Sequence, residues 1–189
     1  MLISYGKQSI NSSDIRSVVK TLKSEYLTQG PQNINLCEKI KKFVGINNVV
    51  LVNSASTALH IACLSLGLKK NDWLWTSANT FVASASCGLH CGAKVDLVDI
   101  DPFTNNICIK DLSKKLKISK KKNKLPKILV VVHFGGVPCE MKEIFKLSKK
   151  YNFKIIEDAS HAFGSKYNNF KIGDCKYSDI CVFSFHPIK

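Results

Sequence analysis

At 189 residues and 45% apolar composition, the chain is long enough to bury the core of one domain. No run in it approaches the roughly 18 to 20 apolar residues of a membrane span. The formal charge of +14 asks for a partner. Arg16 is the only arginine, however, and nucleic-acid recognition favours forked guanidiniums gathered on one face.

The start, Met1-Leu2-Ile3-Ser4-Tyr5-Gly6-Lys7, lacks the charged-then-apolar layout of a signal peptide, so the cytosol is the expected compartment. Asn11-Ser12-Ser13-Asp14 offers N-caps, and Ile15, Val18, Val19 and Leu22 recur at helical spacing, predicting a helix over 13–24. The stretch from Glu25 through Tyr26, Leu27 and Thr28 to Gly30-Pro31 breaks it. A second helix is expected over 34–44, ended by Gly45.

Residues 49–52, Val-Val-Leu-Val, predict a short strand of the kind buried on both faces. Asn53-Ser54-Ala55-Ser56-Thr57 then leads into a helix over 58–64. The open amides and positive dipole end of such a helix suit a phosphate, with Ser54, Ser56 and Thr57 as hydroxyl donors. Ordinary serine N-capping explains the same residues. Strand 73–76, the loop Ser77 to Phe81 and a helix over 82–89 follow. Phe81 would either stack on a flat ligand ring or plug the helix against the core.

Strands are expected over 95–100 and 127–133, with a helix over 110–118 between them. The lysine-rich run from Lys114 to Lys127 has no aromatic interleaving and reads as a solvated helix end and loop. A helix over 141–151 leads to the strand that carries Asp158, and Tyr167 to Gly173 suggests a small hairpin through Asn168-Asn169. The eight cysteines are scattered, with no Cys-x-x-Cys pair, and most behave as small hydrophobes. Cys87-Gly88-Leu89-His90-Cys91 has no second half, so no metal site is expected.

This alternation of strand and helix predicts an α/β fold, a mostly parallel sheet with helices on both faces. Two apolar runs open into reactive side chains: 154–158 into Asp158 and His161, and 180–183 into Ser184, His186 and Lys189. Strand carboxyl ends are where ligands bind in such sheets. No Gly-x-Gly-x-x-Gly follows the first strand, which disfavours a nicotinamide dinucleotide.

Four stretches occur here in one family's order: Val52 to His60, Thr76 to Ala83, Glu157 to Ala162, and Phe183 to Lys189. Together they resemble the DegT/DnrJ-type sugar-nucleotide aminotransferases, pyridoxal-phosphate enzymes of the aspartate-aminotransferase fold (fold type I). Tyr5 to Ile10 and Leu27 to Pro31 are similar to a narrower branch. That branch aminates a UDP-linked 4-keto-6-deoxy-N-acetylhexosamine, with glutamate as amino donor, on the route to pseudaminic acid.

The resemblance implies that Lys189 is the Schiff-base lysine, that Asp158 partners the pyridinium nitrogen, and that His161 sits beside the ring. It implies that Phe81 stacks on the ring, and that Ser54, Ala55, Ser56 and Ser184 hold the phosphate. Tyr5, Glu25, Tyr26, Leu27 and Thr28 would line the sugar-nucleotide site. It further implies that residues 1–189 are the N-terminal segment plus most of the cofactor-binding large domain, truncated before the small C-terminal domain. Weak activity alone is therefore expected, and a homodimer at full length. The other readings are a different keto-sugar, a cofactor-dependent sugar dehydratase (in which histidine replaces the lysine), and a basic nucleic-acid-binding module.

Overall fold

The computed structural model describes residues 8–189, so Tyr5 lies outside the described residues. The chain divides into two compact units, Met1–Leu51 with Phe185–Lys189, and Val52–Ser184.

In the first unit, α1 (Ser12–Leu22) begins at a complete capping box. Asn11 Oδ1 accepts from the Ser13 and Asp14 amides, and Asp14 Oδ2 accepts from the Asn11 amide at 2.9 Å. Helix α2 (Pro31–Val44) starts a turn earlier than its apolar spacing predicts. Pro31 opens this helix instead of only breaking the previous one, because its fixed φ suits the first helical position. Gly45, with φ at 85°, supplies the left-handed exit. Glu25, Tyr26, Leu27 and Thr28 occupy the exposed turn between α1 and α2.

In the second unit, α3 (Ala55–Ser65), β1 (Trp73–Ser77), α4 (Ala83–His90), β2 (Lys94–Val98), α5 (Ile109–Lys121) and β3 (Ile128–Val132) follow in order. Then come α6 (Met141–Tyr151), β4 (Lys154–Asp158), β5 (Lys166–Tyr167), β6 (Phe170–Lys171) and β7 (Ile180–Val182). Five strands make one sheet in the order β2-β1-β3-β4-β7, and every pairing is parallel. β5 and β6 form a separate antiparallel hairpin. Asn168 turns it at φ 54°, as the Asn-Asn pair predicts.

Residues 49–52 are a correction. They join no strand among the described residues, and Val50 is 81% exposed. An apolar run becomes a buried strand only where a neighbour offers it a ladder. The strand expected over 95–100 stops at Val98, and Ile100 makes only an isolated antiparallel bridge to Ile107. Asp101 ends it by accepting from the Phe103 and Thr104 amides at 2.9 and 3.0 Å.

The period of two along each strand divides the core in two. Leu74, Ile128, Val130, Ile156 and Val182 pack with Leu59, Cys63 and Cys87 of α3 and α4. Trp75, Leu129, Val131 and Ile155 pack with Leu112 and Leu116 of α5 and Ile144 of α6. The chain runs from β1 outward to β2, then returns past β1 to β3. Right-handed crossovers in opposite directions place α4 on one face and α5 and α6 on the other. The carboxyl ends at this reversal border the crevice such sheets use for ligands.

Candidate active site

Asp158 ends β4 on the α4 face and is 4% exposed. Ser84, in the first turn of α4, donates its hydroxyl to Asp158 Oδ2 at 2.6 Å. Oδ1 accepts from the Ser160 hydroxyl at 2.7 Å and from the Ser160 amide at 3.2 Å. Thr80 donates to Ser84 Oγ at 2.8 Å. The positive end of α4 adds to the attraction for a carboxylate. A carboxylate has about four acceptor positions. Three are used here, and the one left is on Oδ2.

The main chain at Asp158 is fixed as well. Its carbonyl accepts from the His133 amide at 3.1 Å, and the next amide, of Ala159, donates to the Val182 carbonyl at 2.9 Å. The side chain is thus set by strand pairing on both sides of β4.

Ser54 is the N-cap of α3: its hydroxyl oxygen accepts from the Thr57 amide at 3.1 Å and shares a hydrogen bond with Thr57 Oγ1 at 3.0 Å. The capping reading therefore holds for Ser54. Ala55 and Ser56 sit in the first turn, where helical amides have no carbonyl of their own helix to bind. Helix α3 packs on α4, β4 and β7, so its open end belongs to the same layer as Asp158. Phe81 stands in the β1–α4 loop with 69% of its surface exposed, which leaves its ring face available.

His161 follows in the exposed loop after β4. That loop is locked to the β3 exit loop, because a Cβ on Gly136 would meet the His161 carbonyl oxygen at 2.7 Å. Ser165 adds a hydroxyl bond to the Gly136 carbonyl at 2.8 Å. Ser184 stands two residues beyond β7, half-buried. Lys189 and His186 belong to the first unit, within a tight turn where the Lys189 amide donates to the His186 carbonyl at 2.9 Å.

The opposite face of β4 carries a second buried carboxylate, which the sequence reading passed over. Glu157 is 3% exposed, and its Oε2 lies 2.8 Å from His133 Nε2. The Cys139 amide donates to His133 Nδ1 at 3.1 Å. That ring nitrogen is therefore the acceptor, and Nε2 carries the proton given to Glu157. Ser178 also donates to Glu157. Ser84, Thr80 and Ser160 were missed too. A hydroxyl pair at i, i+4 across the start of a helix was the available signal for the first two.

The profile of the DegT/DnrJ/EryC1/StrS aminotransferase family matches residues 8–189. A Campylobacter jejuni UDP-4-amino-4,6-dideoxy-N-acetyl-beta-L-altrosamine transaminase is 40% identical over 188 residues, covering 100% of this chain and 48% of that protein. The structure of a Helicobacter pylori aminotransferase involved in the biosynthesis of pseudoaminic acid is 30% identical with a TM-score of 0.88. It is matched over 100% of this chain and 49% of that one. A Streptococcus pneumoniae chain solved in a PLP form is 26% identical with a TM-score of 0.87, over 100% of this chain and 50% of that one. The chain spans about half the length of the curated relatives it matches. With its parallel sheet, its open α3 end and its buried Asp158, the chain belongs to the DegT/DnrJ/EryC1/StrS aminotransferase family.

Proposed function

We propose that Val52–Ser184 forms most of a pyridoxal-phosphate site, and that the whole protein transfers an amino group from glutamate to a nucleotide-linked keto-sugar. The observation that carries this reading is the spare acceptor position on a buried carboxylate held by three donors at the sheet's carboxyl rim. A protonated ring nitrogen needs an anionic acceptor that is dry and fixed. Asp158 fits that requirement. The amides of Ala55 and Ser56 suit a phosphate, and Ser184 adds a hydroxyl.

When bound, the cofactor supplies an electron sink for bonds broken at the amino carbon. The remaining work falls to the chain. Asp158 would hold the proton on the ring nitrogen. Phe81 would cover one ring face and limit access of water. His161 would stand beside the ring to orient its substituents. Lys189 would join the cofactor covalently and then, once freed, carry a proton between the two carbons that exchange it. Glu25, Tyr26, Leu27 and Thr28 with Tyr5 would contact the sugar nucleotide, and the active assembly would be a homodimer.

The substrate proposed is a UDP-linked 4-keto-6-deoxy-N-acetylhexosamine, a reading supported by the similarity to the Campylobacter jejuni transaminase and by the stretch Leu27 to Pro31. Borohydride reduction of the chain with pyridoxal phosphate, followed by peptide mass mapping, tests the cofactor reading. The label is expected on Lys189; label spread over exposed lysines, unchanged in a K189A variant, would overturn it. Amine transfer by the full-length protein to a panel of keto-sugar nucleotides tests the substrate.

A further inference from the structure

Resting on the assignment of Asp158 to the ring nitrogen, we propose that Ser84, oriented by Thr80, is a positioning residue that aims Asp158 at that nitrogen. Proton counting requires the direction of the relay. A carboxylate has no proton to give, so the 2.6 Å contact must use the single proton of Ser84. The 2.8 Å contact between Thr80 and Ser84 must then use the proton of Thr80. Each bond polarises the next, which strengthens the donor that reaches the carboxylate.

Ser84 is wholly buried and Asp158 nearly so, so no water competes for these positions. Ser160 occupies Oδ1 with both its hydroxyl and its amide. Ser84 takes one position on Oδ2 and leaves the other pointing elsewhere. The carboxylate is thereby pinned about its own torsion, with one position defined for an incoming N–H. The two ends of the device come from different elements: α4 supplies Ser84 and the loop before it supplies Thr80, while β4 supplies Asp158. Ser84 needs no contact with the cofactor to act.

The test compares binding of pyridoxal phosphate with its 1-deaza analogue, which keeps the aldehyde and phosphate but lacks the ring nitrogen. The 189-residue chain is titrated with each, as wild type, S84A, S84T and T80V. For S84A, affinity for pyridoxal phosphate is expected to fall about ten-fold, the size of one lost hydrogen bond to a charged group. Affinity for the deaza analogue should stay within about two-fold. S84T should restore the preference, and T80V should lose part of it. Equal losses for both ligands, or no loss for either, would overturn the proposal.

A thermal cycle without ligand provides the second arm. S84A is expected to lower Tm by roughly 3 to 8 °C beside Asp158, and by less than half of that in a D158A background. Equal losses in both backgrounds would sink the coupling. If the wild type binds the two ligands alike, the ring-nitrogen reading of Asp158 fails, and the cycle alone decides whether Ser84 fixes Asp158.

Discussion

Two neighbouring carboxylates on one strand have opposite surroundings. Glu157 and Asp158 are 3% and 4% exposed, and the strand's period of two sends them to opposite faces. Glu157 meets an imidazole and a hydroxyl within the α5–α6 layer and the hairpin loops. The space beside it is a cavity of about 10 Å³, lined also by Met141, Tyr167 and Tyr177. That volume scarcely holds one water and admits no ring-sized ligand. Asp158 instead stands between the start of α4 and loops that carry exposed Phe81 and His161. Burial of the charge is common to both. The difference lies in what borders it, a closed polar network on one side and an open rim on the other.

Removing His133 separates the two faces most sharply. H133A is expected to cost about 3 to 5 kcal/mol in urea unfolding, through the cavity it leaves and the Glu157 carboxylate it strands. Affinity for pyridoxal phosphate in the surviving folded fraction should change little. The mirror experiment is D158N, with stability lowered by no more than about 1 to 2 kcal/mol. Cofactor affinity there should fall about ten- to a hundred-fold, read by fluorescence titration. If H133A lost the cofactor while D158N kept it, the assignment of roles to the two faces would be reversed.

Gly136 joins the two faces at the rim. Its φ of 83° costs an L-residue about 1 to 2 kcal/mol, and the added Cβ would strike the His161 carbonyl. G136A is therefore expected to lower Tm and shift the backbone resonances of His161 and Ser165. Shifts confined to 134–138 would argue against the interlocked loops.

The smallest effect is one of pH, on the Glu157 side. Burial, reinforced by the charge of Glu157, pushes the Cys175 thiol up to about 11, against about 8.5 in an unfolded chain. Between those values the unfolded state has lost a proton that the folded state keeps. The stability is therefore fully present below about pH 8.5 and lost as pH rises toward 11. Thermal scans across that window should fall less steeply for C175S than for wild type. Identical slopes would refute the contribution.

The helices and strands around Asp158 were legible because their apolar periods are local: 141–151 was predicted to the residue, and 154–158 ends at the predicted carboxylate. Residues 49–52 were not, since local composition cannot say whether a partner strand exists. Pro31 misled for a related reason, as one residue both ends a preceding segment and opens the next helix. Of the candidate residues, the positions of Asp158 at the end of a strand and of Ser54 to Ser56 at the start of a helix were legible. Ser84 and Thr80 were illegible because a serine in a helix's first turn looks like any capping residue until the strand it faces is known.

By itself, the sequence determined the α/β class, the alternation of strand and helix and the residues that resemble a cofactor site. The class follows from apolar spacings along the chain, and the site residues from the resemblance of four ordered stretches to one family. Only the tertiary structure decided which buried carboxylate is enclosed by a polar network and which stands beside the loops that carry exposed Phe81 and His161. That choice depends on groups 74 residues apart for Ser84 and Asp158, and 24 apart for His133 and Glu157. Hydrogen bonds of that reach have no period to betray them, because the sheet order that closes them is set by packing rather than by neighbours in sequence.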